Sequence, residues 1–230
     1  MHTKSAKICV SIKVANIKSL KSQLVNAKEL GAQIFELRLD YLPEIRINKL
    51  GEILGNYSKQ CIFTLRPRWE GGFFNGTEKE RLATFYQLLD LKPGYIDIEL
   101  KSISKLIVKD LIESNTEITK IVSQHNFVST PDFQLLERSA KRALKIGNIA
   151  KIVTTAIKFR DNVTALKLIK HFPKGKIISF CMGELGLITR ILSPLIGAPF
   201  TYAALDKKSI VSKGQVTTQE MIDIYETIRI

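Results

Sequence analysis

A lysine stands in the middle of an apolar run, Ile149-Ala150-Lys151-Ile152-Val153. An amine held there is poorly solvated, and desolvation together with cationic neighbours lowers its pKa. A neutral amine near pH 7 is a nucleophile toward a carbonyl carbon, and the product is an imine. His125 closes another such run and can move the proton that imine chemistry needs. Charges of both signs sit in further apolar runs: Glu36, Arg38 and Asp40 alternate with Phe35, Leu37 and Leu39, and Asp97 and Glu99 alternate with Ile96, Ile98 and Leu100. Arg66 follows Cys61–Leu65 directly. Arg38 and Arg66 are the expected cationic neighbours of Lys151. The competing reading is a buried ion-pair network that only fixes the fold, with Lys151 snorkelling to water.

Strand-like and helix-like segments alternate along the whole chain and must position these residues. Eight runs rich in Ile, Val, Phe and Thr read as strands: Lys7–Ile12, Ile34–Leu39, Cys61–Leu65, Tyr95–Leu100, Ile118–Ser123, Ile149–Ala156, Lys176–Met182 and Pro199–Leu205. Helical spacing appears in Lys18–Leu30, with Gly31 as a stop signal. Thr77–Asp90 has Glu80 three residues after Thr77, a capping-box spacing. Asp161–His171 is expected to start on Asp161 and to turn Val163, Leu166 and Ile169 inward. Thr217–Ile230 repeats Met221, Ile222 and Tyr225.

Strict alternation implies right-handed crossovers and a parallel sheet. Eight units in 230 residues, about 29 each, suit a compact α/β (β/α)8 TIM barrel. No break in composition divides the chain, so residues 1–230 are expected to be one domain. In a barrel strand one parity faces the helices and the other the interior. The helix side must be apolar, so Glu36, Arg38, Asp40, Asp97 and Glu99 are expected to point inward. Arg66, His125 and Met182 fall at strand ends, where this fold builds its active sites.

Composition narrows the classes. Hydrophobic residues are 45% and charged residues 25%, too apolar for a disordered chain. The longest uncharged stretch, Ile191–Leu205, is interrupted by Pro194 and Pro199, and no membrane span is expected. Met1–Lys7 is short and polar, so a cytoplasmic protein without a targeting segment is expected. Cys9, Cys61 and Cys181 are widely spaced and read as buried free thiols rather than a metal site. Net charge is +13, but the basic residues are dispersed, which suits an anionic small substrate better than nucleic acid.

Taken in order, from Ser11 to Gln215, these segments resemble the type I 3-dehydroquinate dehydratase family. Glu36-Leu37-Arg38-Leu39-Asp40 is similar to its Glu-x-Arg-x-Asp strand, and Arg66 through Glu70-Gly71-Gly72 to its Arg-to-Glu-Gly-Gly segment. Ile96-Asp97-Ile98-Glu99-Leu100 resembles its acidic fourth strand. Ser123-Gln124-His125-Asn126-Phe127 with Thr130-Pro131 resembles its Ser-x-His-Asp-Phe segment. Lys151-Ile152-Val153 resembles its Schiff-base strand, Met182-Gly183 with Gly186 and Arg190 its Met-Gly segment, and Gly214-Gln215 its lid. Asn126 stands where the family has Asp. Val211-Ser212-Lys213 replaces a Ser-Ala-Pro, which removes the lid serine or displaces it to Ser212.

The resemblance implies a shikimate-pathway hydro-lyase that acts on 3-dehydroquinate, a homodimer, and chemistry without metal or organic cofactor. Lys151 would form the imine, His125 would act as acid and base, and Glu70 would orient His125. Arg190 would bind the substrate carboxylate. Glu36, Arg38 and Arg66 would hold the ring hydroxyls, Met182 would pack on the ring, and Ser11, Ser212 and Gln215 would complete the pocket. Gly71–Gly76 and Asp206–Gly214 read as lid segments over the barrel mouth. Another Schiff-base barrel such as an aldolase is the runner-up, against which Glu184 would put an anion where a phosphate would sit. A catalytically silent barrel that binds through its basic surface is the third reading.

Overall fold

The computed structural model describes residues 6–104, 116–210 and 212–228. Its strands are β1 (Ile8–Lys13), β2 (Ile34–Arg38), β3 (Cys61–Thr64), β4 (Tyr95–Glu99), β5 (Thr119–His125), β6 (Ile149–Thr155), β7 (Ile177–Met182) and β8 (Thr201–Ala204). The helices among the described residues are α1 (Ile17–Glu29), α2 (Ile47–Leu54), α3 (Glu78–Leu89), α4 (Phe133–Leu144), α5 (Arg160–His171), α6 (Leu187–Ile196) and α7 (Thr218–Thr227). The link from β4 to β5, where the alternation expects one more helix, lies largely outside the described residues.

All seven pairings are parallel, and the sheet runs β7-β6-β5-β4-β3-β2-β1-β8. This is a (β/α)8 barrel with a seam: no ladder joins β7 to β8 among the described residues. The parity argument holds strand by strand. Phe35, Leu37, Ile96 and Ile98 pack outward against helices, as do Ala150 and Ile152. That leaves Glu36, Arg38, Asp97, Glu99 and Lys151 on the inner face, all buried. The lower barrel is closed by an apolar plug that includes Cys9, Ile34, Ile62, Ile121, Ile178, Phe200 and Tyr202. The three cysteines are buried free thiols.

Local signals explain the helix starts. Asn16 caps α1 by accepting from the Lys18 N–H at 2.9 Å. Thr77 with Glu80, and Thr217 with Glu220, form complete capping boxes at α3 and α7. Helix α5 departs from expectation. It begins at Arg160, and Asp161 lies inside it, its carboxylate accepting from the N–H groups of Ile157 and Lys158. Its buried stripe is Ala165, Leu168 and Ile169, while Val163 is 57% exposed. Spacing alone fits either stripe; packing of the helix against β7 and its neighbouring helices selects one.

Candidate active site

Lys151 projects from the middle of β6 into the barrel and is 4% exposed. Its Nζ donates to Asp97 Oδ2 at 2.8 Å and to Glu36 Oε1 at 3.3 Å. The face of the Tyr202 ring lies 4.2 Å from Nζ. The groups ion-paired with the amine are therefore carboxylates, and Arg66, one of its two expected cationic neighbours, shares Asp97 with it. Both arginines pair with acids. Arg38 forms a two-point pair with Asp40, at 2.8 and 2.7 Å, in the turn that follows β2. Glu36 also accepts from Ser11 Oγ at 2.6 Å and Thr64 Oγ1 at 3.2 Å. Burial alone would raise Glu36; Lys151 and then Arg38 outweigh it and hold the carboxyl below its ordinary value.

Arg66 ties the two acids of β4 together. It pairs with Asp97 at 2.9 Å and Glu99 at 2.5 Å, and donates to Ser123 Oγ at 2.7 Å. Glu99 in turn meets Arg81 of α3 at 2.7 Å, and Arg81 is fully buried and paired with Glu78. A line of alternating charge thus runs Glu78, Arg81, Glu99, Arg66, Asp97, Lys151, Glu36. Such pairing is what allows so many charges to be taken out of water. Burial opposes ionisation of Asp97, yet Arg66 and Lys151 hold it far below the usual carboxylate range.

His125 ends β5. Its Nδ1 lies 2.7 Å from Glu70 Oε2, and its backbone N–H donates to the same oxygen at 3.1 Å. Glu70 reaches it from a single helical turn, Arg68–Glu70, just beyond β3. Gly72 permits that turn, since a Cβ there would come within 2.0 Å of the Arg66 carbonyl oxygen. Burial, then the charges of Arg66 and Lys151, hold the imidazole well below 6.5. Burial pushes Glu70 up to about 7, with Arg66 pulling the other way. Near neutral pH the imidazole is therefore uncharged, and Nε2 is the ring nitrogen turned away from Glu70. Phe127 stacks on the imidazole, ring centroids 6.0 Å apart.

Residues that follow β7 and β8 line the mouth of the barrel. Arg190 of α6 is 2% exposed and lies with its guanidinium 4.2 Å from the Phe180 ring. It donates to Ser212 Oγ at 3.3 Å, and among the described residues its Nε has no partner and no carboxylate pairs with it. Burial brings it down to about 10. The lid segment is stitched to the β7 loop by a bond from Gly183 N–H to the Lys213 carbonyl at 3.0 Å. Gly214 makes this approach possible, with φ at +75° and the Gly183 oxygen 2.0 Å from where a Cβ would sit. Val211, part of the expected lid motif, lies outside the described residues.

One cavity of about 360 Å³ is lined by Lys151, His125, Glu70, Ser11, Glu36, Arg38, Arg66, Met182, Arg190, Ser212 and Gln215. Every site residue singled out from the sequence reaches it. Glu184 does not: it is exposed, so it places no anion in the pocket. Asn126 is turned away as well, its Oδ1 accepting from the N–H groups of Val128 and Ser129 to shape the loop. Sequence reasoning missed Tyr202, Phe127 and Phe180 among the lining residues. Strand parity held a signal for Tyr202, two residues from Ala204 and Phe200 on one face of β8. Among the described residues no group of three His, Cys, Asp or Glu is placed to hold a metal ion.

A family model described as Type I 3-dehydroquinase matches residues 8–230. A 3-dehydroquinate dehydratase of Dehalococcoides mccartyi is 36% identical over 221 residues, 96% of this chain and 94% of that one. Another, from Methanocaldococcus jannaschii, is 38% identical over 197 residues, 84% of this chain and 86% of that one. The crystal structure of the 3-dehydroquinate dehydratase from Aquifex aeolicus superposes with a TM-score of 0.81 at 30% identity, covering 96% and 98% of the two chains. The chain belongs to the type I 3-dehydroquinase family.

Proposed function

We propose that this chain dehydrates 3-dehydroquinate to 3-dehydroshikimate in the shikimate pathway, through an imine on Lys151. The observation that carries the reading is a buried lysine and a neutral, carboxylate-anchored histidine lining one cavity. The amine adds to the ring ketone, and loss of water gives an iminium ion on Nζ. His125 Nε2 removes a proton from the adjacent carbon, and the electron pair of that C–H bond flows toward the iminium nitrogen. The enamine then expels the tertiary hydroxyl, which takes a proton from His125 and leaves as water. A second water hydrolyses the iminium, so the net change is loss of one water. Asp97 and Glu36, held ionised, offset the positive charge on nitrogen.

Arg190 fits the substrate carboxylate, because a buried guanidinium with no carboxylate partner among the described residues gains most from one. Ser11, Glu36, Arg38, Arg66, Ser212 and Gln215 are the groups for the ring hydroxyls, and Met182 packs on the ring. The amine itself supplies the electrophile. A homodimer and a cytoplasmic location agree with the family resemblance; sedimentation of the purified chain and fractionation of its cells test them. No helix among the described residues is long and apolar enough to cross a membrane.

Borohydride added during turnover of 3-dehydroquinate should reduce the imine, inactivate the protein and leave a mass adduct on the peptide that holds Lys151. An adduct on another lysine, or none with turnover intact, overturns the assignment.

A further inference from the structure

The Tyr202 ring is placed where the nitrogen becomes a planar cation. Its face lies 4.2 Å from Lys151 Nζ, and it is 3% exposed. Phe180 and Phe200 flank the ring, with centroids 6.0 and 5.5 Å away. Its hydroxyl is buried and has no hydrogen-bond partner among the described residues. A buried hydroxyl with nothing to bond costs stability, so the hydroxyl is not what keeps the side chain there. What the residue offers its neighbour is the π face. That face attracts a cation and does nothing comparable for a neutral amine. The remaining surroundings of Nζ are Asp97 and Glu36, which act on the same charge from other directions.

We propose that Tyr202 is a positioning residue for the imine step: its ring face holds Nζ and stabilises the iminium ion on it, while its hydroxyl is dispensable. The proposal rests on the Lys151 reading above and adds to it a third wall of the nitrogen site. It makes a specific chemical demand. The group that matters is the electron density of the ring, not its volume and not the phenol.

The experiment first traps the wild-type protein with borohydride, which settles the Lys151 reading by itself. The trapped fraction and single-turnover rate are then measured in Tyr202→Phe, in Tyr202→Leu, and in proteins with phenylalanines bearing one, two and three ring fluorines at position 202. Tyr202→Phe should keep the trapped fraction and melt no lower than wild type. Tyr202→Leu should lose roughly 10-fold or more of the trapped fraction, with kcat falling more than KM rises. Fluorination drains the ring face while keeping its shape, so the trapped fraction should fall stepwise with each fluorine. Should Tyr202→Leu fail to fold, the fluorinated series decides alone. A trapped fraction indifferent to fluorination overturns the proposal, as does loss of trapping in a well-folded Tyr202→Phe. Wild-type protein that turns over with no adduct on Lys151 overturns both this proposal and the reading beneath it.

Discussion

A single oxygen of Glu70 serves two atoms of His125, the ring nitrogen Nδ1 at 2.7 Å and the backbone N–H at 3.1 Å. The backbone bond fixes where the carboxylate sits. The ring bond then fixes the tautomer: an ionised Glu70 takes the proton on Nδ1 and leaves Nε2 as the base.

The protonation of Glu70 should therefore control the acid limb of kcat/KM. With its carboxyl pushed up to about 7, Glu70 gains a proton below that pH and donates to Nδ1, which moves the imidazole proton to Nε2 and blanks the base. In Glu70→Gln the limb near pH 7 should vanish, and kcat should fall about 10- to 100-fold across the range. A pH profile of the variant with its acid limb unmoved would remove Glu70 from the role.

The same pair predicts a pH dependence of stability. In the unfolded chain Glu70 titrates near 4.5 and His125 near 6.5. Between those values the unfolded pair holds one proton, on His125. The folded pair also holds one, on Glu70, because the imidazole is held well below 6.5. Equal proton counts give no slope. Glu70→Gln removes the folded proton only. Its unfolded state then binds more protons, so its stability should rise relative to wild type as pH climbs toward 6.5, by at most ~1.4 kcal/mol per pH unit. Urea unfolding of both proteins at several pH values reads this directly; parallel curves would contradict it.

Arg190 should trade stability for binding. Its guanidinium is buried without a carboxylate partner, and burial lowers its pKa to about 10. Arg190→Met removes a desolvated charge and should raise stability by roughly 1–3 kcal/mol. The same change should raise KM on the order of 100-fold, through loss of the carboxylate contact. A variant that is both less stable and unchanged in KM would show that Arg190 is a structural residue.

The segment Asp206–Gln215 is expected to close the mouth on ligand. Amide exchange there should slow on binding of substrate or product, most around the Gly183–Lys213 bond. Gly214→Ala would set a Cβ against the Gly183 oxygen and force a left-handed backbone on alanine. It should raise KM with little change in the melting temperature of the barrel. Gln215→Ala should weaken binding more than it slows imine formation. Equal protection with and without ligand would make the segment a fixed wall.

Much of this was readable from residues because parity is a hard constraint. A helix-facing side of a strand has to be apolar, so charges at Glu36, Arg38, Asp97 and Glu99 had to face inward; Asp40, expected with them, lies past the end of β2 in the following turn, where it holds Arg38. What parity does not give is who pairs with whom. Arg38 and Arg66 line the same cavity as Lys151, but the amine is ion-paired with Asp97 and Glu36, while Asp40, Asp97 and Glu99 pair with the arginines, and pairing of that kind is set by strand stagger. Tyr202 was passed over because an aromatic in a strand reads as core. It is core on one side and a wall of the nitrogen site on the other. Asp161 looked like a helix cap and instead ties down the preceding loop, a difference of one residue in where α5 begins.

The seam between β7 and β8 gives the barrel the mechanics of a split ring. Seven ladders join neighbouring strands, and among the described residues none joins β7 to β8. A ring of that kind yields at its gap, and the gap is where the Lys213 carbonyl reaches across to Gly183. Breaking that bond is expected to open the mouth while every strand pairing stays intact. Lys151 and His125 sit on β6 and β5, on the unbroken arc, where such an opening would leave their geometry unchanged.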